Sequence, residues 1–140
     1  NNLENYTGQV VVLKILCGTD IIEIDRLKKS IETLGDSFIN KIFTKNEISY
    51  CESRKNAKYQ SYAVRFAAKE SISKVLGTGI SKGVAWKDIE IINSPSGKPE
   101  VLLHGKTKQI SEELNIFSIS ISLSHCKDYA VAYACALASE

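Results

Sequence analysis

Ile116-Phe117-Ser118-Ile119-Ser120-Ile121-Ser122-Leu123-Ser124-His125 alternates between apolar and hydroxyl side chains almost without interruption. Successive side chains of a strand point to opposite faces, so Ile119, Ile121 and Leu123 share one face while Ser118, Ser120, Ser122 and Ser124 share the other. One apolar and one polar face is the pattern of an antiparallel sheet covered on a single side. The alternation predicts a strand over about 116–123, joined through Ser124-His125-Cys126-Lys127-Asp128 to a second over about 129–137. Upstream, Asp88 to Ile92 and Glu100 to Leu103 read as a hairpin closed by the turn-forming run Asn93-Ser94-Pro95-Ser96-Gly97-Lys98-Pro99.

Helical signals lie mostly before these strands. Lys58 to Leu76 holds no Pro and no interior Gly and stops at Gly77. At 100° per residue, Val64, Ala68, Ile72, Val75 and Leu76 form one stripe, and Phe66, Glu70, Ser73 and Lys74 lie roughly opposite. Thr44-Lys45-Asn46-Glu47 has the capping-box spacing. Leu27, Ile31 and Leu34 recur at helical spacing behind Asp25, a candidate cap, and Gly35 closes that helix. Asp36–Phe43 and Thr107–Leu114 read as short helices, the second with Ile110 and Leu114 inward. Val10 to Leu16 is β-branched and apolar apart from Lys14, and reads as a buried strand that delivers Asp20 at its end. The predicted class is α+β, a mainly antiparallel sheet with helices packed on it.

At 140 residues and 15.5 kDa, with 44% apolar and 24% charged residues, the chain suits one ordinary domain. We place that domain at residues 10–140 and read 1–9 as an extension or an added remnant. No stretch approaches the roughly 20 apolar residues of a membrane helix, and the first residues lack a signal-peptide pattern, so the expectation is a cytoplasmic protein without a membrane partner. Cys17, Cys51, Cys126 and Cys135 show no C-x-x-C spacing, which argues against a disulfide framework or a zinc site. Net charge is only +2, yet Ile24 to Lys74 carries 11 Lys/Arg against 6 Asp/Glu, an excess of +5 that leaves the remainder at −3. A basic segment of this kind suits any polyanion or a merely solvated surface. Without interleaved aromatics or a recognised module, nucleic acid is not the expected partner.

Several residues carry chemistry, and each has a plainer alternative. Asp20 also reads as a turn or cap residue. Glu70 and Lys74, four apart, also read as an exposed ion pair worth about 0.3–0.5 kcal/mol. Gly77-Thr78-Gly79 is a helix end as well as a backbone cradle for phosphate. His125 and Cys126 are neighbours on extended chain and point apart, so a thiol nucleophile is rejected. Together, two carboxylates on rigid elements, a lysine one helical turn beyond the second and a glycine-rich loop suit Mg²⁺ and a phosphorylated ligand. Such a cation needs only one or two carboxylates when phosphate and water supply the rest.

Gly18-Thr19-Asp20-Ile21 leading to Glu23-Ile24-x-Arg26, and Arg65-Phe66-Ala67-Ala68-Lys69-Glu70-Ser71-Ile72-Ser73-Lys74, closely resemble the two signature segments of the 4′-phosphopantetheinyl transferases, specifically the short holo-acyl-carrier-protein synthase class. Phe43 to Glu47, Gly77 to Ile80, Trp86-x-Asp88-Ile89-Glu90, Gly97-Lys98-Pro99 and Ser122 to His125 resemble further segments of that class in the same order. The likeness spans about residues 13–138.

The resemblance implies Mg²⁺-dependent transfer of 4′-phosphopantetheine from coenzyme A to a serine of apo-acyl carrier protein in fatty acid biosynthesis, releasing adenosine 3′,5′-bisphosphate. It implies Asp20 and Glu70 as metal ligands, and Asp20, Glu70 and Lys74 as the catalytic set. Arg65, Lys74, Gly77, Thr78, Lys98 and His125 would contact coenzyme A. Arg26, Lys28 and Lys29 would dock the acidic carrier protein, and a homotrimer would build its active sites at subunit boundaries. Cys17 stands where the class carries an aliphatic residue and is expected to pack as a small apolar group. The alternatives weighed against transfer are a non-catalytic module that binds coenzyme A or carrier protein, and a Mg²⁺-dependent hydrolase of coenzyme A.

Overall fold

The computed structural model describes residues 2–4, 8 and 10–140. Its central feature joins the two ends of the chain. β2 (Val10–Glu23) pairs antiparallel with β6 (Tyr129–Ser139) in an unbroken register from Leu13 opposite Ser139 to Glu23 opposite Tyr129. β6 pairs on its other side with β5 (Ile116–His125), and β1 (Asn2–Glu4) pairs antiparallel with Val10 to Val12, giving the order β1-β2-β6-β5. The sequence assigned 1–9 to an extension. That assignment falls largely on residues 1, 5–7 and 9, outside the described residues, while Asn2–Glu4 form β1. β3 (Ile89–Asn93) and β4 (Pro99–Leu103) make the expected hairpin as a separate two-stranded sheet.

Five α-helices lie among the described residues: α1 (Ile24–Leu34), α2 (Asp36–Ile42), α3 (Lys45–Ser53), α4 (Lys58–Val75) and α5 (Gly105–Glu113). α3 begins with the predicted capping box, Thr44 accepting from the Glu47 N–H and the Glu47 side chain accepting from the Thr44 N–H. The α+β class and its antiparallel sheet are as the alternation indicated.

α4 lies on the inner face of the sheet, where the central strand β6 presents only small side chains. Ala130, Ala132, Ala134, Ala136 and Ala138 are the inward residues of β6, all essentially buried. On β2 the contact falls at Gly18, where a Cβ would lie 2.1 Å from the Ser71 carbonyl oxygen. The hydroxyls of Ser71 and Thr19 both reach the Ala132 carbonyl at 3.0 Å, fastening helix and strand to the same point of β6. Helix and sheet therefore meet at backbone distance, with Ile72, Val75, Ile89, Ile91 and Ile121 filling the core around them.

Several local expectations are corrected. β2 does not end at Leu16 but runs on to Glu23, because the β6 partners continue and hold Gly18 to Asp20 extended. α1 has no side-chain cap; Asp25 lies in its first turn and pairs with Lys29 at 2.9 Å. Leu114, expected inward, is exposed, as is Leu34 at the end of the α1 periodicity, whereas Ser73, placed opposite the apolar stripe of α4, is buried. Cys17 is exposed on the outer face of β2 rather than packed as an apolar filler.

Within the core sits a charge. Lys69 and Glu47 are fully buried and paired at 2.8 Å, and the same ammonium donates to the carbonyls of Trp86, at 3.0 Å, and Ile89. Glu47 accepts from the Ile91 N–H at 3.0 Å as well. One ion pair thus joins α3, α4 and β3. Burial holds the Lys69 ammonium below its ordinary value, with Glu47 working against that.

Candidate functional site

Asp20 is an inward residue of β2, and Glu70 and Lys74 stand one turn apart on α4. The close approach at Gly18 brings them together. The Lys74 ammonium donates to the Thr19 carbonyl at 2.7 Å and to Asp20 Oδ1 at 3.3 Å. Asp20 and Glu70 line one groove of about 360 Å³ with Ile21, Ile22, Arg26, Leu27, Ser30, Phe38 and Phe66. It has an acidic end and an apolar floor. Burial, and then the negative charge of Asp20, push the Glu70 carboxyl above its ordinary value, and the Lys74 ammonium only partly offsets them. Two carboxylates and one ammonium thus meet at one end of this groove.

A second groove, of about 350 Å³, is lined by Tyr50, Arg54, Ala57, Gln60, Ser61, Val64, Arg65, Asn93, Gly97, Pro99, Leu123 and His125. Arg65 and Glu70, five residues apart on α4, are separated by about 140° around the helix axis, so the two grooves open on different sides. Arg65 is 4% exposed. Its guanidinium lies over the Tyr50 ring at 4.1 Å and donates to Asn93 Oδ1 at 2.7 Å, while its Nε has no hydrogen-bond partner among the described residues. Arg54 is exposed at the same groove. Two guanidiniums, an imidazole and amide and hydroxyl groups around one concavity suit a phosphorylated, planar ligand.

The remaining sequence candidates are placed as follows. Lys98 is exposed between Gly97 and Pro99, both of which line the second groove. Gly77 ends α4 with φ of +84°, a conformation that favours glycine, and its N–H donates to the Lys74 carbonyl. Thr78 donates to the Gly79 carbonyl, and Ser81 donates to the Thr78 carbonyl. Arg26 is exposed on α1 and borders the Asp20–Glu70 groove. Lys29 is engaged by Asp25, and the Lys28 ammonium lies 5.3 Å from the centre of the Tyr59 ring. His125 ends β5.

The sequence reading did not single out Tyr50, Arg54 or Asn93. They reach the second groove from α3, the turn after it and the end of β3, a convergence that no spacing in the chain encodes. Lys69 was seen only as part of a motif, because nothing in helical periodicity marks a lysine that faces inward.

The family model of the 4′-phosphopantetheinyl transferase superfamily matches residues 16–134. The chain is 58% identical over 122 residues to the holo-acyl-carrier-protein synthase of Ruminiclostridium cellulolyticum, covering 87% of this chain and 91% of that relative. It is 50% identical over 120 residues to the protein of the same name in Chlamydia felis, covering 86% of this chain and 94% of the other. Among solved structures, the Helicobacter pylori holo-acyl-carrier-protein synthase in complex with coenzyme A superimposes with a TM-score of 0.75 at 32% identity, over 89% of this chain and 100% of that one. The enzyme of that name from Neisseria meningitidis gives 0.79 at 31% identity, over 86% and 96%.

Proposed function

The chain belongs to the 4′-phosphopantetheinyl transferase superfamily and is an enzyme of the holo-acyl-carrier-protein synthase kind, and from that membership we propose its reaction in detail: Mg²⁺-dependent transfer of 4′-phosphopantetheine from coenzyme A to a serine of apo-acyl carrier protein, with release of adenosine 3′,5′-bisphosphate. The observation that carries this is the meeting of Asp20, Glu70 and Lys74 at the Gly18 contact.

The donor set fits Mg²⁺. Two carboxylates supply hard oxygens, and the upward displacement of Glu70 by burial and by Asp20 is what a cation between them reverses. When bound, Mg²⁺ supplies neutralisation of the pyrophosphate oxygens on which charge builds. Asp20 and Glu70 would hold it. Glu70, directly or through a water it orients, takes the proton of the incoming serine hydroxyl. Lys74, fixed by the Thr19 carbonyl and Asp20, presents its ammonium to the leaving phosphate.

The adenosine end of coenzyme A would take the second groove, with Arg65, Lys98 and His125 towards its 3′-phosphate and Gly77 and Thr78 bordering the pyrophosphate with Lys74. That the two grooves open on different sides of α4 supports completion of each site by a neighbouring copy. So does the outer face of the sheet, where Ile15, Ile21, Val131 and Tyr133 are between 36% and 65% exposed on adjacent strands. A contiguous apolar face of this kind suits burial against another subunit, and a homotrimer is the assembly proposed. The carrier protein would dock on α1 through Arg26, Lys28 and Lys29, delivering its serine to the groove that Arg26 borders.

The test is the intact mass of apo-acyl carrier protein incubated with this protein, coenzyme A and Mg²⁺, with and without EDTA. Gain of one phosphopantetheine group only in the metal-containing sample is expected. A gain that persists with EDTA overturns the metal assignment, and no gain in either sample overturns the transfer.

A further inference from the structure

The buried pair of Lys69 and Glu47 lies next to the second groove on every element that it joins. Glu47 Oε1 accepts from the Lys69 ammonium at 2.8 Å and Glu47 Oε2 from the Ile91 N–H at 3.0 Å, so α3, α4 and β3 meet at one carboxylate. Lys69 also donates to the Ile89 carbonyl, which holds β3 at a second point. From that junction Tyr50 is one turn beyond Glu47 on α3, and Arg65 one turn before Lys69 on α4. Asn93 is two residues beyond Ile91, on the same face of β3. These three are the residues that touch one another in the groove, the Arg65 guanidinium over the Tyr50 ring at 4.1 Å and donating to Asn93 Oδ1 at 2.7 Å. Two layers therefore stack, each with one member from α3, one from α4 and one from β3.

We propose that Lys69 and Glu47 are positioning residues for the second groove: by tying α3, α4 and β3 together they set the spacing of Tyr50, Arg65 and Asn93 that receives the adenosine end of coenzyme A. The inference rests on the assignment of that groove to coenzyme A. Neither side chain lines the groove, and both are fully buried, so they act through the three residues above them. A buried ion pair contributes little net stability over a well-packed apolar replacement, because desolvation offsets its attraction. What it supplies here is geometry, since charge-assisted hydrogen bonds are short and directional where apolar contacts allow neighbouring elements to slide.

The experiment uses the full chain, with adenosine 3′,5′-bisphosphate as the probe and calorimetry as the readout, in the absence of metal and carrier protein. It compares the unaltered protein, Lys69→Met, the double variant Lys69→Met with Glu47→Gln, and Ile121→Ala, a truncation in the core of β5 that controls for lost stability. Removing both members of a buried pair costs much less than removing one, so the double variant carries the test where Lys69→Met is too unstable to measure. Expected is a dissociation constant raised about tenfold or more in both pair variants and changed by less than about twofold in Ile121→Ala. Transfer kinetics should show the same rise in KM for coenzyme A, with kcat and the KM for carrier protein within about threefold. A double variant that binds the probe like the unaltered protein overturns the positioning role, as does equal weakening in Ile121→Ala. A double variant that does not fold overturns it too, because the pair then holds the domain rather than the groove. Absence of binding by the unaltered protein instead overturns the assignment of the groove, and the proposal with it.

Discussion

Gly18 of β2 touches the Ser71 carbonyl of α4 so closely that the smallest side chain does not fit between them, since a Cβ would stand 2.1 Å from that oxygen. The obstacle is helix backbone and cannot swing aside. Gly18→Ala must therefore push β2 off α4, at a cost of about 1–3 kcal/mol typical of an overpacked core. Because Asp20 is two residues on and Glu70 precedes Ser71, the same shift separates the two carboxylates. Thermal denaturation and initial transfer rates of Gly18→Ala should both fall, the rate by tenfold or more. Full activity in a destabilised Gly18→Ala protein would detach the contact from the site.

Glu70→Gln keeps the shape of the side chain and removes its charge. Transfer should drop by at least 10²-fold if Glu70 holds the metal and accepts the proton as proposed. The fold should survive, since Glu70 is only half-buried and its ionised form is disfavoured there by burial and by Asp20. Circular dichroism and a carrier-protein mass assay read the two properties separately.

Lys69→Met should cost about 3–5 kcal/mol, because it leaves the Glu47 carboxylate buried without its cation. Adding Glu47→Gln should recover part of that loss. Urea denaturation of the two single variants and the double variant measures the coupling, and additive losses would show that the pair does not act as a unit.

Glu90 supplies the pH dependence. Burial works to raise its carboxyl, but the hydrogen bonds from Thr44 and His104 prevail and hold it below its ordinary value. A carboxylate lowered in the folded state adds stability above the unfolded value of 4.5 and loses it as pH falls from there through its folded value. The stability advantage of the unaltered protein over Glu90→Gln should be widest near pH 7 and shrink on acidification below about pH 4.5. A gap that grew on acidification would reverse the assigned sign.

Arg26→Glu should raise the KM for carrier protein at least tenfold at low salt, leave the KM for coenzyme A within twofold, and lose most of its effect in high salt. Equal shifts in both constants would move Arg26 from docking to the coenzyme groove.

Local features were legible wherever chemistry between near neighbours decides them. The capping box at Thr44 and Glu47, the alternation of β5 and the uninterrupted helix ending at Gly77 were each read correctly from short windows. The length of β2 was not, because Gly18-Thr19-Asp20 carries turn chemistry that only the alanine-lined β6, more than a hundred residues away, overrides. Periodicity likewise sorted Glu70 and Lys74 away from the main apolar stripe of α4. It misread how completely the helix is enclosed, with Arg65, Lys69, Ser71 and Ser73 all buried. Polar residues that face inward to satisfy one another leave no hydrophobic signal. The second groove was half legible: Arg65 and His125 were named, while Tyr50, Arg54 and Asn93 arrive by tertiary convergence.

The β2–β6 ladder also orders events in time. Asp20 leaves the ribosome more than a hundred residues before Ala132, its partner, so the stretch of β2 that bears the first carboxylate lacks its ladder partner until β6 has been made. Contacts of such separation form slowly and leave an unpaired edge exposed meanwhile. Nascent chains that stop short of Tyr129 carry α4 with Glu70 and Lys74 but nothing to hold Asp20 against them. Activity would thus emerge as β6 docks, and nascent chains without β6 would be aggregation-prone rather than weakly active.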